Sequence, residues 1–195
     1  MSTTDQVMQS SSPNKPYSNV SGPALRSRLI EIALEWELRF AVAPAITSAL
    51  SEYDAAVLLE CSEDSYCDCR KLMTAVSRGH DFIFNGKRYQ VKANRPSGKR
   101  GSSVTLVAKP SNYEWDFLIW ILYDRLYVIQ EAWLWTATDY QSQLGMKTRI
   151  SPADMRKGKR LLPRDSAHRG TTEEKELKMD INSLSKRCRA PQLSS

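Results

Sequence analysis

The sequence has no uninterrupted apolar run that approaches the ~20 residues needed to cross a bilayer. Nor does it begin with an apolar core of signal-peptide type, because residues 1–22 are rich in Ser, Thr, Asn and Pro. Such a segment cannot bury enough apolar surface to offset the entropy lost on ordering it. We therefore expect a disordered arm over residues 1–22 and a soluble, cytoplasmic protein with no membrane partner.

Histidine and cysteine are also scarce, which excludes several kinds of active site. The 2 histidines, His80 and His168, have no nucleophile signature around them, so catalytic-triad chemistry is not expected. The 4 cysteines of this 195-residue chain do not form a disulfide framework, and the spacing of Cys61, Cys67 and Cys69 is not that of a zinc knuckle. Neither a Walker A motif nor a G-x-G-x-x-G motif occurs.

Acidic residues are missing from one long stretch of the chain. Residues 85–109 contain seven Lys or Arg and no Asp or Glu, and residues 156–195 contain eleven basic against five acidic residues. The second segment alone accounts for the net charge of +6, so the rest of the chain is balanced. Two basic segments indicate a polyanionic partner, although a solvated loop is the simpler interpretation of each. The glycine-containing loop of the first segment is suited to phosphate contacts through Arg95, Ser97, Lys99 and Arg100.

A helix signal begins near Pro23, which suits a first helical turn. Apolar residues follow at helical spacing on one side (Leu25, Leu29, Ile32, Trp36, Phe40) and also on another (Ile30, Leu34, Leu38). Such a helix is usually buried on more than one side. Glu37 falls among the apolar residues, where a carboxylate is costly unless it is paired. We therefore expect Glu37 to meet a buried cation such as Lys92 or to point toward the hairpin described next.

The segment HDFIFNGKRYQVKANRPSG contains the strongest hairpin signal, because Asn85-Gly86 suits a two-residue type I′ turn. That turn sets the register: Phe84 opposite Lys87, Ile83 opposite Arg88, Phe82 opposite Tyr89, and Asp81 opposite Gln90. Since strand residues alternate between the two faces of a sheet, one face carries Asp81, Gln90 and Lys92. The other face carries Phe82, Tyr89 and Val91.

The remaining patterns predict a mixed sheet with helices. Helical character continues past Pro44 to about Ser51, residues 57–59 are either a short strand or a helix end, and residues 68–77 are weakly helical. Strands are expected over Ser102–Lys109, Trp115–Tyr123 and Leu126–Trp135, and a capped helix at Ser151. Residues 171–186 form a charged helix or a disordered tail. The order predicts an α/β (α+β) fold with a mixed sheet flanked by helices.

Mg²⁺-dependent phosphodiester hydrolysis needs hard oxygen ligands for the ion and a cation near the attacking water or the phosphate. An Asp on one strand beside an acid-x-Lys on the next strand supplies both. Asp81, Gln90 and Lys92 match this geometry except that the acid is Gln. A solvated polar hairpin face is the alternative interpretation.

At these residues the sequence resembles the PD-(D/E)XK nuclease superfamily. The core of that superfamily is a helix carrying a Glu, an Asp on one strand and (D/E)-x-K on the next, and some members carry Q-V-K. The matching residues are Glu37 in WELRF, Asp81 in HDFIF, and Gln90 with Lys92 in YQVKANR. The resemblance covers about Pro23–Trp135 and implies a restriction-endonuclease-like core domain over residues 23–163. Residues 164–195 would then be a basic tail.

The resemblance implies a Mg²⁺-dependent endonuclease, with Mn²⁺ as an alternative ion. Asp81, Gln90 and Glu37 would hold the ion, and Lys92 would orient the nucleophilic water or stabilise the transition state. Double-stranded DNA would be the substrate, in a restriction or phage-defence role. A homodimer is expected by analogy only, since two strands need two sites.

The neutral Gln90 weakens the expected ion site unless another acid compensates. Glu37 is the first candidate for this role, followed by Glu114 and Asp116. Two alternatives therefore stay open. One is a catalytically silent nuclease-fold module that binds nucleic acid or a partner protein, and the other is a structural subunit whose basic tail docks onto an acidic protein.

Overall fold

The computed structural model describes residues 20–73, 79–97, 99 and 101–162. Within these residues the elements follow in the order α1 (Gly22–Phe40), α2 (Thr47–Leu58), α3 (Glu63–Leu72), β1 (Phe82–Phe84), β2 (Lys87–Asn94), β3 (Phe117–Tyr123), β4 (Ile129–Thr136), α4 (Ala137–Leu144), α5 (Pro152–Met155) and β5 (Lys159–Arg160). The strands form a mixed sheet in the order β1-β2-β3-β4-β5. The predicted combination of a mixed sheet with flanking helices is confirmed.

The predicted hairpin is present with the predicted register. Asn85 and Gly86 have φ values of 49° and 70°, as a two-residue turn with positive φ at both positions requires. Phe82 pairs with Tyr89, Ile83 with Arg88, and Phe84 with Lys87 next to the turn. The side-chain alternation along β2 is therefore set by the turn.

The chain crosses over between β2 and β3, which are parallel neighbours. Residues 95–116 make this connection. The prediction of a strand over Ser102–Lys109 is wrong, because in that stretch only Val107 forms an isolated bridge, to Ile150. Both edges of β3 are already occupied by β2 and β4. Residues 102–109 therefore have no free edge of β3 to join, and Val107 instead packs into a core on one face of the sheet.

The sheet separates two hydrophobic cores. The first lies on the face covered by α1 and α2, here called the α1–α2 face, and includes Phe82, Tyr89, Val91, Ile119 and Ile121. The second lies on the opposite face, here called the α4–α5 face, and is built around Leu118, Trp120, Trp135, Tyr140 and Met155. Alternation along β2 places Gln90 and Lys92 on the α4–α5 face, in register with Leu118 and Trp120.

The helices differ from the prediction mainly in their bounds. α2 continues from Thr47 to Leu58, which decides the ambiguous residues 57–59 in favour of helix. α3 begins earlier than predicted, because the Ser62 hydroxyl accepts a hydrogen bond from Ser65 N and caps the helix. The expected helix after Ser151 is confirmed, with a complete capping box between Ser151 and Asp154.

Two elements of the structure were not predicted, and some predictions concern residues outside the described ranges. α4, which Thr136 caps, and the two-residue strand β5 were not predicted. The predicted arm over residues 1–22 and the tail over residues 164–195 lie, apart from residues 20–22, outside the described residues, as do residues 74–78.

α1 is buried on one side only, which corrects the prediction of a helix buried on more than one side. Ile30 and Ala33 are buried, whereas Ile32 is 61% exposed and Trp36 is 50% exposed. The physical reason is that α1 packs on one face of the sheet and no described element lies over its outer side. No helix in the described parts of the chain is both long and apolar enough to cross a membrane.

A buried carboxylate joins the two N-terminal helices to the sheet. The Arg26 guanidinium of α1 donates to both oxygens of Asp54 in α2, at 2.6 and 2.9 Å. The Tyr123 hydroxyl of β3 donates to Asp54 Oδ2 at 2.6 Å. Arg26 also donates to the Tyr127 carbonyl at 3.1 Å. Asp54 is 4% exposed, so these bonds replace its hydration.

Replacing Asp54 with Ala should destabilise the fold strongly, since it leaves Arg26 without its buried partner. We expect a loss of about 3–5 kcal/mol in the free energy of unfolding, measured by urea denaturation. Glu35→Ala is the control, because the contact of Glu35 within the described residues is an exposed ion pair with Arg39 at 3.6 Å. The control should change stability by about 0.5 kcal/mol or less. Equal effects of the two substitutions would contradict the role given to Asp54.

Candidate functional site

Asp81 begins the hairpin and meets β2 through its side chain. Its main-chain N–H donates to the Tyr89 carbonyl at 2.7 Å, so the chain is already paired with β2 at this residue. Its carboxylate Oδ2 accepts from Val91 N at 2.5 Å and from the Gln90 side-chain amide. The structure therefore brings Asp81 and Gln90 together as the register predicts.

The Gln90 side chain presents its amide nitrogen to Asp81. An ionised carboxylate only accepts hydrogen bonds, so the amide oxygen has to face away from the Asp81 oxygen that Gln90 contacts. Gln90 is 8% exposed, so this contact is sheltered from water. A Glu at this position would place a second negative charge against Asp81, which a cation would then have to neutralise.

Burial raises the pKa of the Asp81 carboxyl above its usual value. The hydrogen bond from Val91 N opposes this rise, followed by the charges of Lys92 and Arg70. Lys92 is partly exposed, and in the described part of the chain its amine has no hydrogen bond or ion pair. Lys92 is therefore a positive group within electrostatic range of Asp81 whose amine is available to a ligand as far as the described residues show.

Glu52 is a functional candidate that the sequence interpretation missed. It lies on α2, and the pKa of its carboxyl is raised by burial and then by the nearby Asp81 charge. Arg70 of α3 links the two acids: it lies 3.3 Å from Glu52 Oε2 and donates to the Asp81 carbonyl at 2.5 Å. Burial and the Glu52 charge also raise the pKa of Tyr66 to about 12. Two half-buried carboxylates thus lie within electrostatic range of each other, Glu52 on a helix of the α1–α2 face and Asp81 at the sheet edge beside Gln90.

Glu37 lies away from this site. Its carboxylate pairs with Arg95 at 2.7 Å, and the Arg95 guanidinium lies 4.4 Å from the centroid of the Tyr127 ring. Tyr127 belongs to the core of the α1–α2 face, whereas Lys92 is on the opposite face of the sheet. The expectation that Glu37 meets a buried cation is confirmed, but the cation is Arg95 and not Lys92. The geometry does not bring Glu37 to Asp81.

The loop after β2 exposes fewer of the predicted phosphate-binding residues than its sequence indicates. The expectation that Arg95 contacts phosphates does not fit its position, because its side chain is 7% exposed and also donates to the Arg125 carbonyl at 2.9 Å. Ser97 and Lys99 are exposed, and Ser97 N donates to Ser102 Oγ at 3.1 Å. Arg100 lies outside the described residues. Of the four predicted contacts, Ser97 and Lys99 are therefore placed where a ligand can reach them.

Glu114 and Asp116, the further acids considered for the ion site, have different surroundings. Asp116 accepts from Arg88 N at 2.8 Å and pairs with the Arg88 side chain, and hydrogen bonds from Arg88 hold the pKa of the Asp116 carboxyl below its usual value. Glu114 lies beside the chain that leads into Asp81, since a Cβ at Gly79 would stand 2.8 Å from Glu114 Cβ. Asp116 is thus occupied by Arg88, and Glu114 is a neighbour of the site.

The predicted ion site of Asp81, Gln90 and Glu37 does not assemble. In residues 20–73, 79–97, 99 and 101–162, no group of three or more His, Cys, Asp or Glu is arranged to hold a metal ion. Mg²⁺ often needs only one or two carboxylates, because water and substrate phosphates complete its coordination. Asp81 and Glu52 carry hard oxygens of this kind and lie within electrostatic range of each other.

The paired acids make stability depend on pH. A carboxyl whose pKa is raised on folding binds its proton more tightly in the folded state, so stability falls as pH rises through that pKa. Glu52→Gln removes one of the two charges, so its stability relative to the wild type should improve as pH rises above about 4, the ordinary pKa of a Glu carboxyl. Urea midpoints of both proteins across this range measure the difference. Glu31→Gln, on the exposed side of α1, is the control and should show no such trend; a Glu52→Gln difference that does not change with pH would contradict the pairing.

Comparison with known proteins found no family model that matches the chain. No match was found among curated proteins either. The resemblance to PD-(D/E)XK nucleases therefore stays a prediction that rests on the residues of the hairpin and on their geometry.

Proposed function

We propose that the protein is a Mg²⁺-dependent endonuclease that hydrolyses phosphodiester bonds in DNA. The observation that supports this best is that Asp81, held by the Val91 N–H, lies within electrostatic range of Lys92 on the neighbouring strand and of the helix acid Glu52. The first two residues belong to the set that the family resemblance implies. Glu52 takes the place that the resemblance gives to Glu37.

The carboxylates of Asp81 and Glu52 hold the divalent ion in this proposal. Such an ion supplies charge neutralisation at the scissile phosphate and lowers the pKa of a bound water. Lys92 places its ammonium beside the phosphate, where it stabilises the negative charge that develops on the phosphoryl oxygens. Its partly exposed amine is suited to this role because no described residue competes for it.

Gln90 and Arg70 act as positioning residues. The Gln90 amide and the Val91 N–H donate to the same Asp81 oxygen, which fixes the direction of the carboxylate. Arg70 ties the Asp81 main chain to Glu52. Because Arg70 is exposed, its guanidinium could move away from Glu52 and leave that carboxylate available to hold an ion.

The substrate is proposed to be double-stranded DNA, bound through its phosphates. Lys99 and Ser97 extend the proposed phosphate-binding surface beyond β2. The basic segment over residues 156–195 adds positive charge, of which residues 163–195 lie outside the described range. A role in restriction or phage defence, in the cytoplasm and with a dimeric enzyme, follows from the family resemblance alone.

A catalytically silent module that binds nucleic acid is the second candidate. The hydrogen bond from Gln90 to Asp81 favours it, because the amide satisfies the carboxylate where an acid would require a cation. In this case the basic residues would bind DNA without cleaving it. The two candidates share the binding surface and differ only in hydrolysis.

Lys92→Ala should separate catalysis from binding. Removing the ammonium should lower cleavage of plasmid DNA in Mg²⁺ by about 100-fold or more, as loss of one transition-state contact commonly does. DNA affinity should change little, because one phosphate contact among several carries a small share of the binding energy. Lys87→Ala is the matched control, since it removes an exposed lysine of the same strand outside the site.

Three outcomes of this experiment are informative. Loss of cleavage in Lys92→Ala with full activity in Lys87→Ala supports the enzyme. A wild type that binds DNA but cuts nothing in Mg²⁺ or Mn²⁺ favours the silent module. A wild type that neither binds nor cuts DNA overturns both candidates and leaves the basic tail and an acidic protein partner as the remaining explanation.

A further inference from the structure

The outer side of α1 carries a continuous apolar stripe that faces solvent. Its members are spaced by four, three, four and four residues, and each is between 37% and 61% exposed: Leu25, Leu29, Ile32, Trp36 and Phe40. At 3.6 residues per turn they lie within an arc of about 80°. The rings of Trp36 and Phe40 are in contact, with centroids 4.6 Å apart. We call this set the α1 stripe.

The α1 stripe is separate from the buried side of the helix. Ile30 and Ala33 face the core, and Arg26 and Glu37 on the same side are held by Asp54 and Arg95. α1 is therefore anchored in a fixed orientation, and its rotation cannot bury the stripe. A contiguous apolar surface of this kind usually marks a docking site.

We propose that residues 171–188 of the same chain form a helix that packs along the α1 stripe, parallel to α1. Within this segment Leu177, Ile181, Leu184 and Cys188 are spaced by four, three and four residues. That spacing repeats the spacing of Leu25, Leu29, Ile32 and Trp36. Two helices with this spacing meet along a narrow apolar seam, as the a and d positions of a coiled coil do.

Charge complementarity sets the parallel direction. The first half of the segment, residues 173–180, holds four acids and two lysines, whereas residues 186–189 hold three basic residues. In the parallel register residues 173–180 lie along residues 21–28 of α1, which carry Arg26 and Arg28 and no acid, and residues 186–189 lie along residues 34–37, which carry Glu35 and Glu37. The antiparallel arrangement would bring the acidic half of the segment to the acidic half of α1, around Glu31 and Glu35.

The described chain ends where the segment needs to start. Leu161 N donates to the Ala132 carbonyl, and Leu161 and Leu162 pack against the core of the α1–α2 face. β5 runs antiparallel to β4, so the chain heads toward the β3–β4 turn, where Arg26 of α1 donates to the Tyr127 carbonyl. The 8 residues from 163 to 170 span up to about 28 Å, and they leave the sheet on the side of the β3–β4 turn, where α1 begins.

A disulfide experiment on the full chain tests the register. Trp36→Cys places a thiol level with the natural Cys188, and a mild oxidant should join the two within one chain. Peptide mapping by mass spectrometry identifies the linked pair, and the protein should keep the mass of a monomer. Glu31→Cys is the matched control, because residue 31 is exposed on the same helix but away from the α1 stripe, and it should not link to Cys188.

Hydrogen exchange provides a second measurement that leaves α1 unchanged. In the wild type the amides of residues 175–188 should exchange at least 10-fold more slowly than in Ile181→Asp. Ser183→Asp, on the opposite side of the proposed helix, should keep the protection. Fast exchange of residues 175–188 in the wild type overturns the proposal. So does a disulfide that joins two copies of the chain through residue 36, because a second copy would then occupy the stripe.

Discussion

The buried contact between Asp54, Arg26 and Tyr123 fixes the N-terminal helices on the sheet, and the candidate site depends on that placement. Asp54 lies two residues after Glu52 on α2. When Asp54 is held against β3, the same helix carries Glu52 to within electrostatic range of Asp81. A buried carboxylate is costly by itself, so its two partners make this helix position specific.

The second constraint is the hairpin turn, which determines what stands next to Asp81. The positive φ angles at Asn85 and Gly86 set a two-residue turn, and the turn puts Gln90 opposite Asp81. The Gln90 amide then donates a hydrogen bond to the Asp81 carboxylate without adding charge. The Asp81 and Glu52 carboxylates repel each other. The positive charges of Lys92 and Arg70 oppose this repulsion. This balance is compatible with a weak ion site of two carboxylates.

Local patterns in the sequence were sufficient to predict the hairpin, the helix near Pro23 and the cap at Ser151, because each depends on residues close together in the chain. The contribution of Glu52 was not predictable in this way, since it approaches Asp81 only after α2 docks on the sheet. The partner of Glu37 shows the same limit: the apolar surroundings indicated a buried cation, but they did not distinguish Arg95 from Lys92. The turn register sets the face on which Lys92 lies, whereas Arg95 follows the end of β2 and reaches Tyr127 on the α1–α2 face.

The exposure of one apolar side of α1 was also not predictable from local sequence patterns. Apolar spacing on two sides indicated two buried sides, whereas the described elements cover only one. The apolar spacing thus identifies the α1 stripe but not the element that covers it. In the proposed arrangement that neighbour is the C-terminal segment, which would account for both apolar sides of the helix.

The central claim is that Asp81 and Glu52 together hold a divalent ion beside Lys92. Calorimetric titration of Mg²⁺ into the folded protein, without DNA, tests it most directly. The wild type should bind one ion, Asp81→Asn and Glu52→Gln should each abolish that binding, and Gln90→Glu should tighten it because it adds a charged oxygen. A wild type that binds no ion, or one whose binding is unchanged by both Asp81→Asn and Glu52→Gln, would contradict the claim.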